Sequence, residues 1–151
     1  DEIYMKDLGG AQPRDKVPGI LQRQVNCMES GKGWVYKVMV PSESEGIDVA
    51  VGTVCLWEGW WDKENCAISE LGFGIVRSFQ GRGYGSAALS MLMNMVASTQ
   101  SSRWGDIHAF TSCENGSSNR VLEKSGFKLI GKENMVYDGR SFPGNHWVFS
   151  R

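Results

Sequence analysis

Apolar side chains in the first third of the chain recur at two different spacings. In residues 20–29 they fall three and four positions apart, which predicts a helix that begins near residue 15 or just after Pro18. Residues 34–40 are β-branched and aromatic and are followed by Pro41, which predicts a strand. A polar turn separates this strand from residues 48–57, so the two segments form a predicted hairpin.

The rest of the chain alternates between strand-like and helical patterns. The predicted elements are a strand at 66–76 after a break at 58–65, a helix at about 83–98, a strand at 104–112, a short helix at 117–125, and strands at 127–133 and 146–151. Gly126 is the expected left-handed residue after the short helix, and residues 134–145 predict a turn-rich loop. The order α-β-β-β-α-β-α-β-β contains no repeat or linker and predicts a single domain over residues 1–151.

The charge balance argues against two classes of partner. Sixteen Lys and Arg against 17 Asp and Glu give a net charge of −1, and no basic stripe is present, so nucleic-acid binding is not expected. No apolar run approaches the roughly 20 residues that span a bilayer, and no secretory leader is visible. A hydrophobic fraction of 41% is typical of an ordinary globular protein. We therefore expect a cytoplasmic location and no membrane partner.

The cysteines give no sign of a metal site. None of the four belongs to a C-x-x-C pair, and the chain has only two histidines, so no metal is expected. Buried free thiols of a cytosolic protein are the simplest interpretation, although two disulfides remain possible. The cysteines are Cys27, Cys55, Cys66 and Cys113.

Three glycines at alternate positions stand directly before the second predicted helix. Gly81, Gly83 and Gly85 lie in the segment SFQGRGYGSAAL, residues 78–89. The first backbone N–H groups of a helix have no partner within it, and the helix dipole adds positive charge there, so a phosphate fits provided that no side chain obstructs it. The alternative is a strand-to-helix turn that needs only the flexibility of glycine.

The two common nucleotide-binding motifs do not match this segment. A dinucleotide fingerprint needs G-x-G-x-x-G, whereas here Gly85 comes one position early and Ser86 stands where the third glycine belongs. A P-loop needs G-K-[ST], which is absent. A phosphate-binding loop of another kind is therefore expected.

The segment from Gln80 to Gly85 resembles the Q/R-x-x-G-x-G/A signature of the GNAT superfamily of acyl-CoA-dependent N-acyltransferases. Its surroundings strengthen the resemblance, because ELGFGIV precedes it and HAFTSCENGSSNRVLEKSGFKLIG follows, as do the family's fourth strand and its Asn-headed helix. The ending PGNHW is similar to the subset of ribosomal-protein alanine acetyltransferases. The resemblance covers most of the chain and is strongest over residues 70–131.

The resemblance implies an α/β fold with a mixed central sheet flanked by helices, in which two splayed strands form the acyl-CoA site. The loop would bind the pyrophosphate of acetyl-CoA, the pantetheine arm would pair with the end of the preceding strand as an added strand does, and Asn115 would contact that arm. For Asn115 a helix cap is the alternative. The residues implied in coenzyme binding are Gly74, Ile75, Gly81, Arg82, Gly83, Tyr84, Gly85, Ser86 and Asn115.

Acyl transfer to an amine also requires a proton acceptor. Glu70 lies in an otherwise apolar strand, where many members of the family place a glutamate that deprotonates the amine, and burial would raise its pKa toward a useful value. A solvent-facing strand residue, or one that binds the cationic substrate, is the alternative. His108 is the weaker candidate, because a strand histidine is more often packed and hydrogen-bonded than catalytic.

The proton donor to the departing thiolate is the point at which the sequence departs from the family. Many members have a tyrosine seven residues after the asparagine, and here that position holds Leu122, which cannot donate a proton. Ser118, four residues earlier on the same helix face, is the alternative donor, with Tyr137 and water as others, unless Ser118 caps the helix.

The resemblance therefore implies an N-acetyltransferase that moves an acetyl group from acetyl-CoA directly to a primary amine of a small molecule or a protein N-terminus. The alternatives are an aminoglycoside-type antibiotic acetyltransferase and a non-catalytic acyl-CoA-binding module. The aromatic turn at residues 57–65 is a candidate homodimer contact. The family's first strand and helix are expected to precede Asp1, since DEIYMKDLGG resembles the segment that follows them.

Overall fold

A computed structural model describes residues 13–42, 46–61, 63–99, 103–137 and 140–151. The segment DEIYMKDLGG, on which the expectation of preceding elements depends, lies outside these residues. The helices are α1 (Val17–Glu29), α2 (Tyr84–Ser98) and α3 (Gly116–Lys124). The strands are β1 (Gly33–Val40), β2 (Val49–Trp61), β3 (Cys66–Ile75), β4 (Ile107–Ser112), β5 (Lys128–Tyr137) and β6 (Arg140–Phe149).

The six strands form one mixed sheet in the order β1-β2-β3-β4-β6-β5. Every neighbouring pair is antiparallel except β3 and β4, which run parallel. A parallel connection must cross from one end of the sheet to the other, and α2 makes this crossing. The predicted α/β fold with a mixed sheet flanked by helices is confirmed.

Helices α2 and α3 cover one face of the sheet and build the core with it. Leu89 and Leu92 of α2 and Leu122 of α3 are almost completely buried in one cluster with Leu71 and Ala109 of the central strands. Each fully buried side chain of this size contributes about 1.5–3 kcal/mol. Because successive strand residues point to opposite faces, the positions next to Leu71 and Ala109 face away from this core.

Two segments contain more strand than the sequence predicted. Residues 58–61 of the break expected at 58–65 belong to β2, whose Trp60 and Trp61 pair with Ala67 and Cys66 of β3, whereas residues 63–65 form a turn. The charged residues and the glycine of that segment are unfavourable in strands, but pairing with β3 stabilises the hairpin.

The loop expected at 134–145 is likewise a long hairpin of β5 and β6, in which Pro143 pairs with Asn134. Proline is tolerated there because its carbonyl points toward β4 and accepts from the N–H of Cys113, just beyond the end of that strand. The nitrogen of a strand residue points to the same side as its carbonyl, so the missing N–H removes no hydrogen bond to β5.

Other element predictions are confirmed with small shifts. Helix α1 begins at Val17 as expected, whereas β4 begins three residues later than predicted. Gly126 has a φ of 86°, the left-handed conformation expected after α3. All four cysteines are free thiols of intermediate burial.

In the described part of the chain, no helix is both long enough and apolar enough to cross a bilayer. The cytoplasmic location stays a prediction. So does the homodimer contact at the aromatic turn, where the side chain of Trp60 is 57% exposed.

Candidate active site

The parallel strands β3 and β4 separate halfway along their length. Their described ladder consists of three pairs, from Ser69 with Ile107 to Leu71 with Ala109. Beyond Ala109, β4 continues beside β6, while β3 continues to Ile75 beside β2. A wedge-shaped gap therefore opens between residues 72–75 and 110–112, and backbone polar groups along it can pair with an inserted ligand.

The glycine loop lies at the end of β3, next to this gap. Gly81 and Gly83 have φ values of 76° and 85°, in the left-handed region where a side chain is strained, so both positions require glycine. A Cβ at either position would meet nothing within 4 Å, so the loop surface is open. The side chain of Gln80 donates to the carbonyl of Ile75 at 2.8 Å and ties the loop to the strand.

Helix α2 begins directly after Gly83, whose carbonyl accepts the hydrogen bond from Ala87. The earlier N–H groups of this helix point out of its N-terminus, which is the arrangement that attracts a phosphate. Arg82 stacks on the ring of Phe79 with 5.2 Å between the guanidinium carbon and the ring centroid, which places a positive charge on the loop.

Three loop residues begin the helix itself. Tyr84, Gly85 and Ser86 are half-buried, and Gly85 packs over β3, where an added Cβ would lie 3.6 Å from the side chain of Ile75. The predicted coenzyme-binding residues on β3, the loop and α2 are thus contiguous in space.

Asn115 caps helix α3. Its Oδ1 accepts from the backbone N–H of Ser118 at 3.1 Å, so the cap interpretation of Asn115 holds. The cap uses the oxygen only, and Nδ2 is the group with which Asn115 would contact a pantetheine carbonyl. The alternative in which Ser118 caps the helix is wrong, because the cap position belongs to Asn115.

A polar network that the sequence did not indicate fixes α3 against the end of β4. The Thr111 hydroxyl donates to Asn119 Oδ1, which also accepts from the Asn145 side chain at 3.2 Å. The indole of Trp147 donates to the same hydroxyl at 3.0 Å. The network locks the N-terminus of α3 to β4 and β6, on the far side of the gap from the glycine loop.

Glu70 lies at the closed end of the gap, on the sheet face opposite the core. Its ladder partners are Trp57 on β2 and His108 on β4. Burial raises the pKa of Glu70 from its usual 4.5 to about 7, while a hydrogen bond from the Trp57 side chain opposes the increase. Gly59 leaves room for the carboxylate, because a Cβ there would lie 2.5 Å from Oε2.

His108 belongs to a chain of ring and carboxylate groups across β4, β6 and β5. Its Nδ1 lies 2.8 Å from Nε2 of His146, whose own Nδ1 lies 3.2 Å from Oε1 of Glu133. His146 is fully buried, and burial lowers the pKa of both histidines. The sequence made His108 a weaker candidate base that was expected to be packed and hydrogen-bonded, and it gave no link from His108 to His146 and Glu133. The only signal was two histidines in otherwise apolar strands.

The positions considered for the proton donor to the departing thiolate differ in burial. Leu122 is fully buried in the core, and Ser118, one turn earlier, is half-buried. The backbone of Tyr137 ends β5, and its side chain lies outside the described residues.

Residues 2–128 match the family model described as "Acetyltransferase (GNAT) domain". The chain therefore belongs to the GNAT acetyltransferase domain family. No curated protein matches the sequence significantly.

Solved structures of GNAT acetyltransferases share the fold. An acetyltransferase from Salmonella typhimurium, which modifies the N-terminal serine of ribosomal protein L7/L12, is 17% identical with a TM-score of 0.72 over 99% of this chain and 81% of its own. A ribosomal-protein-alanine N-acetyltransferase from Brucella melitensis is 19% identical, with a TM-score of 0.68 over 89% of this chain and 78% of its own. The microcin C7 self-immunity acetyltransferase, in complex with acetyl-CoA and AMP, is 15% identical with a TM-score of 0.69 over 93% and 73%.

The chain is thus an acyltransferase of the GNAT type. The subset suspected from PGNHW is represented among its structural neighbours.

Proposed function

We propose that the chain transfers the acetyl group of acetyl-CoA directly to a primary amine, of a small molecule or a protein N-terminus, within a ternary complex. The observation that carries the proposal is the position of Glu70. A carboxyl group whose pKa is about 7 lies at the closed end of the gap between β3 and β4. A base with a pKa near neutral is suited to accept a proton from an ammonium group.

Acetyl-CoA occupies the loop and the gap in this proposal. The amides of residues 81–86 bind the pyrophosphate, with Arg82 as countercharge. The pantetheine arm pairs with Gly74 and Ile75, as an added strand would, and accepts from Nδ2 of Asn115. The arm can advance only as far as the last ladder pair, Leu71 with Ala109, so the thioester comes to lie there.

Glu70 is adjacent to that point and acts as the base. An alkylammonium with a pKa of about 10 is almost fully protonated at neutral pH and must lose a proton before its nitrogen can attack. The thiolate of coenzyme A then leaves, and with Leu122 buried in the core its proton comes from Ser118 or from water. A thiol pKa of about 8.5 makes the thiolate a good leaving group in either case.

An assay of free thiol tests the proposal. Acetyl-CoA is incubated with the protein alone and with a panel of amines, N-terminal peptides and aminoglycosides, and thiol is expected only when an acceptor amine is present. Glu70→Gln should lower turnover by about 10² to 10⁴, with a smaller loss at high pH, where the amine deprotonates unaided.

Three outcomes would contradict the proposed function or favour one of the alternatives to it. Coenzyme binding without thiol release for any amine would favour the non-catalytic module. Aminoglycosides as the best acceptors would favour the antibiotic acetyltransferase. Unchanged turnover in Glu70→Gln would leave Glu70 with a structural role.

A further inference from the structure

The acetyl transfer of the proposed function releases two protons from one nitrogen. The ammonium loses one proton before attack, and the nitrogen loses another as the amide forms. One carboxylate accepts only one of them. A second acceptor near Glu70 would therefore have a use, and the described structure places one group of suitable chemistry there.

His108 is the residue that faces Glu70 across the ladder. The two are paired positions on β3 and β4, one step from the last pair before the strands separate. Adjacent strands lie about 4.8 Å apart, and paired residues project from the same face. Both side chains therefore point from the face opposite the core, beside the closed end of the gap.

The hydrogen-bond chain behind His108 determines which of its nitrogens carries a proton. Burial would raise the pKa of Glu133, but hydrogen bonds from Trp61 and His146, together with the nearby positive charge of Lys63, hold that pKa below its usual value. An ionised carboxylate can only accept, so Nδ1 of His146 donates to it, and Nε2 of the same neutral ring must accept. Nδ1 of His108 then donates to that nitrogen. Nε2 of His108 is left with its lone pair.

The bulge in β5 is what places the carboxylate correctly. The pairing shifts by one residue between Leu129 and Gly131, so Glu133 pairs with Gly144 and shares a face with His146. Without that extra residue Glu133 would project from the other face of the sheet. Trp61 further holds the carboxylate by donating to Oε2 at 3.2 Å, and its ring packs edge-on against His146.

We propose that His108 is a second proton acceptor of the transfer reaction, held by the positioning residues His146 and Glu133 in the tautomer whose Nε2 is unprotonated. This rests on the proposed function. One proton of the attacking nitrogen goes to the Glu70 carboxylate and the other to Nε2 of His108. The nitrogen lone pair forms the C–N bond, the C–S bond breaks, and its electron pair leaves on sulfur. One proton ends on coenzyme A as the thiol, and the other is released to solvent.

The charge that forms on His108 is stabilised through the chain. The imidazolium donates to His146, which donates to the negative Glu133, in the way that a carboxylate orients and stabilises a catalytic histidine through a hydrogen bond. Other charged groups near this chain are Glu70, the ladder partner of His108, Asp106 just before β4, and Lys63 in the turn after β2.

The tautomer can be measured without any substrate. The chain has only two histidines, so nitrogen-15 NMR of the full protein shows two imidazole rings, and one variant assigns them. We expect both rings to be neutral at pH 7, with the proton on Nδ1 in each. A proton on Nε2 of His108 would overturn the proposal.

Substitution of His108 separates a base from a packing residue. In His108→Asn the side-chain amide can still donate to His146 but has no basic nitrogen. We expect turnover to decrease by about 10²-fold, with the melting temperature and the KM for acetyl-CoA little changed. Normal turnover in this variant, while Glu70→Gln is slow, would overturn the role of His108 and leave the proposed function standing.

Glu133→Gln tests the positioning role. The variant should lower turnover less than His108→Asn does, and the double variant should be no slower than His108→Asn alone, because Glu133 acts only through His108. The exposed Glu123→Gln is the matched control and should retain wild-type turnover. Additive losses in the double variant would show that Glu133 acts independently. Failure of the wild type to release thiol with any amine would instead contradict the proposed function itself.

Discussion

Replacement of Glu70 by glutamine should make the protein more stable at alkaline pH, although the variant lacks the proposed base. Burial raises the pKa of this carboxyl from 4.5 to about 7, which means that the folded state disfavours its ionised form. Glutamine has the same shape, still accepts a hydrogen bond from Trp57 and never ionises. The variant therefore lacks the destabilisation that ionisation of Glu70 causes in the folded wild type.

The size and pH range of the effect follow from the two pKa values. Between pH 4.5 and 7 the folded protein binds a proton that the unfolded chain has released, so the free energy of unfolding decreases as the pH rises and then levels off above 7. A difference of about 2.5 units at about 1.4 kcal/mol per unit gives about 3 kcal/mol. This is an upper bound, because Glu70 is partly exposed and water screens its charge.

Thermal unfolding at a series of pH values measures the difference. For a chain of this length each kcal/mol corresponds to roughly 2–4 °C, so Glu70→Gln should melt several degrees above the wild type at pH 8 and close to it at pH 4. The exposed Glu123→Gln is the control, and its melting curve should follow the wild type at every pH. A Glu70→Gln variant that is no more stable at pH 8 than at pH 4, relative to wild type, would refute the argument.

Three further substitutions test the loop, the carboxylate pocket and the cap. Gly83→Ala strains a left-handed residue by about 1–2 kcal/mol and should remove the increase in melting temperature caused by coenzyme A. Gly31→Ala is the control, because Gly31 is also left-handed, with a φ of 71°, but lies outside the loop, so its variant should keep that increase. Gly59→Ala puts a methyl group 2.5 Å from the carboxylate of the proposed base, so kcat should decrease without loss of coenzyme binding in a calorimetric titration. Asn115→Ala should cost about 1 kcal/mol in chemical denaturation, because it removes the cap of α3. Ser118→Ala should change stability by less than about 0.5 kcal/mol, and equal losses in the two would contradict the cap assignment.

The sequence predicted those features that follow from short stretches of residues. The helical spacing of residues 20–29 indicated α1, and the alternating glycines indicated a loop whose left-handed residues are Gly81 and Gly83. The acid in an apolar strand indicated a raised pKa for Glu70, which is confirmed. Each of these depends on residues that are close together in the chain.

The rest of the site depends on register between distant strands, which a single sequence does not reveal. His108 and His146 are 38 positions apart, and Glu133 joins them only because of the bulge after Leu129. The Asp, Gly and Pro residues between Tyr137 and Gly144 predicted a loop. The hairpin of β5 and β6, which carries Glu133 and His146, was therefore not predicted. A one-residue error in that register would have placed Glu133 on the wrong face.

The short ladder between β3 and β4 also joins two halves of the sheet by few backbone pairs. Three pairs join β1, β2 and β3 to β4, β6 and β5, whereas the pairs within each half extend along most of the strands. Amide hydrogens on either side of the gap should therefore exchange with solvent by opening of this seam at a lower free energy than global unfolding requires. In the proposed binding mode the pantetheine arm bonds to Gly74 and Ile75 of β3 and to Asn115, which follows β4, so coenzyme A should slow exchange in the two halves together.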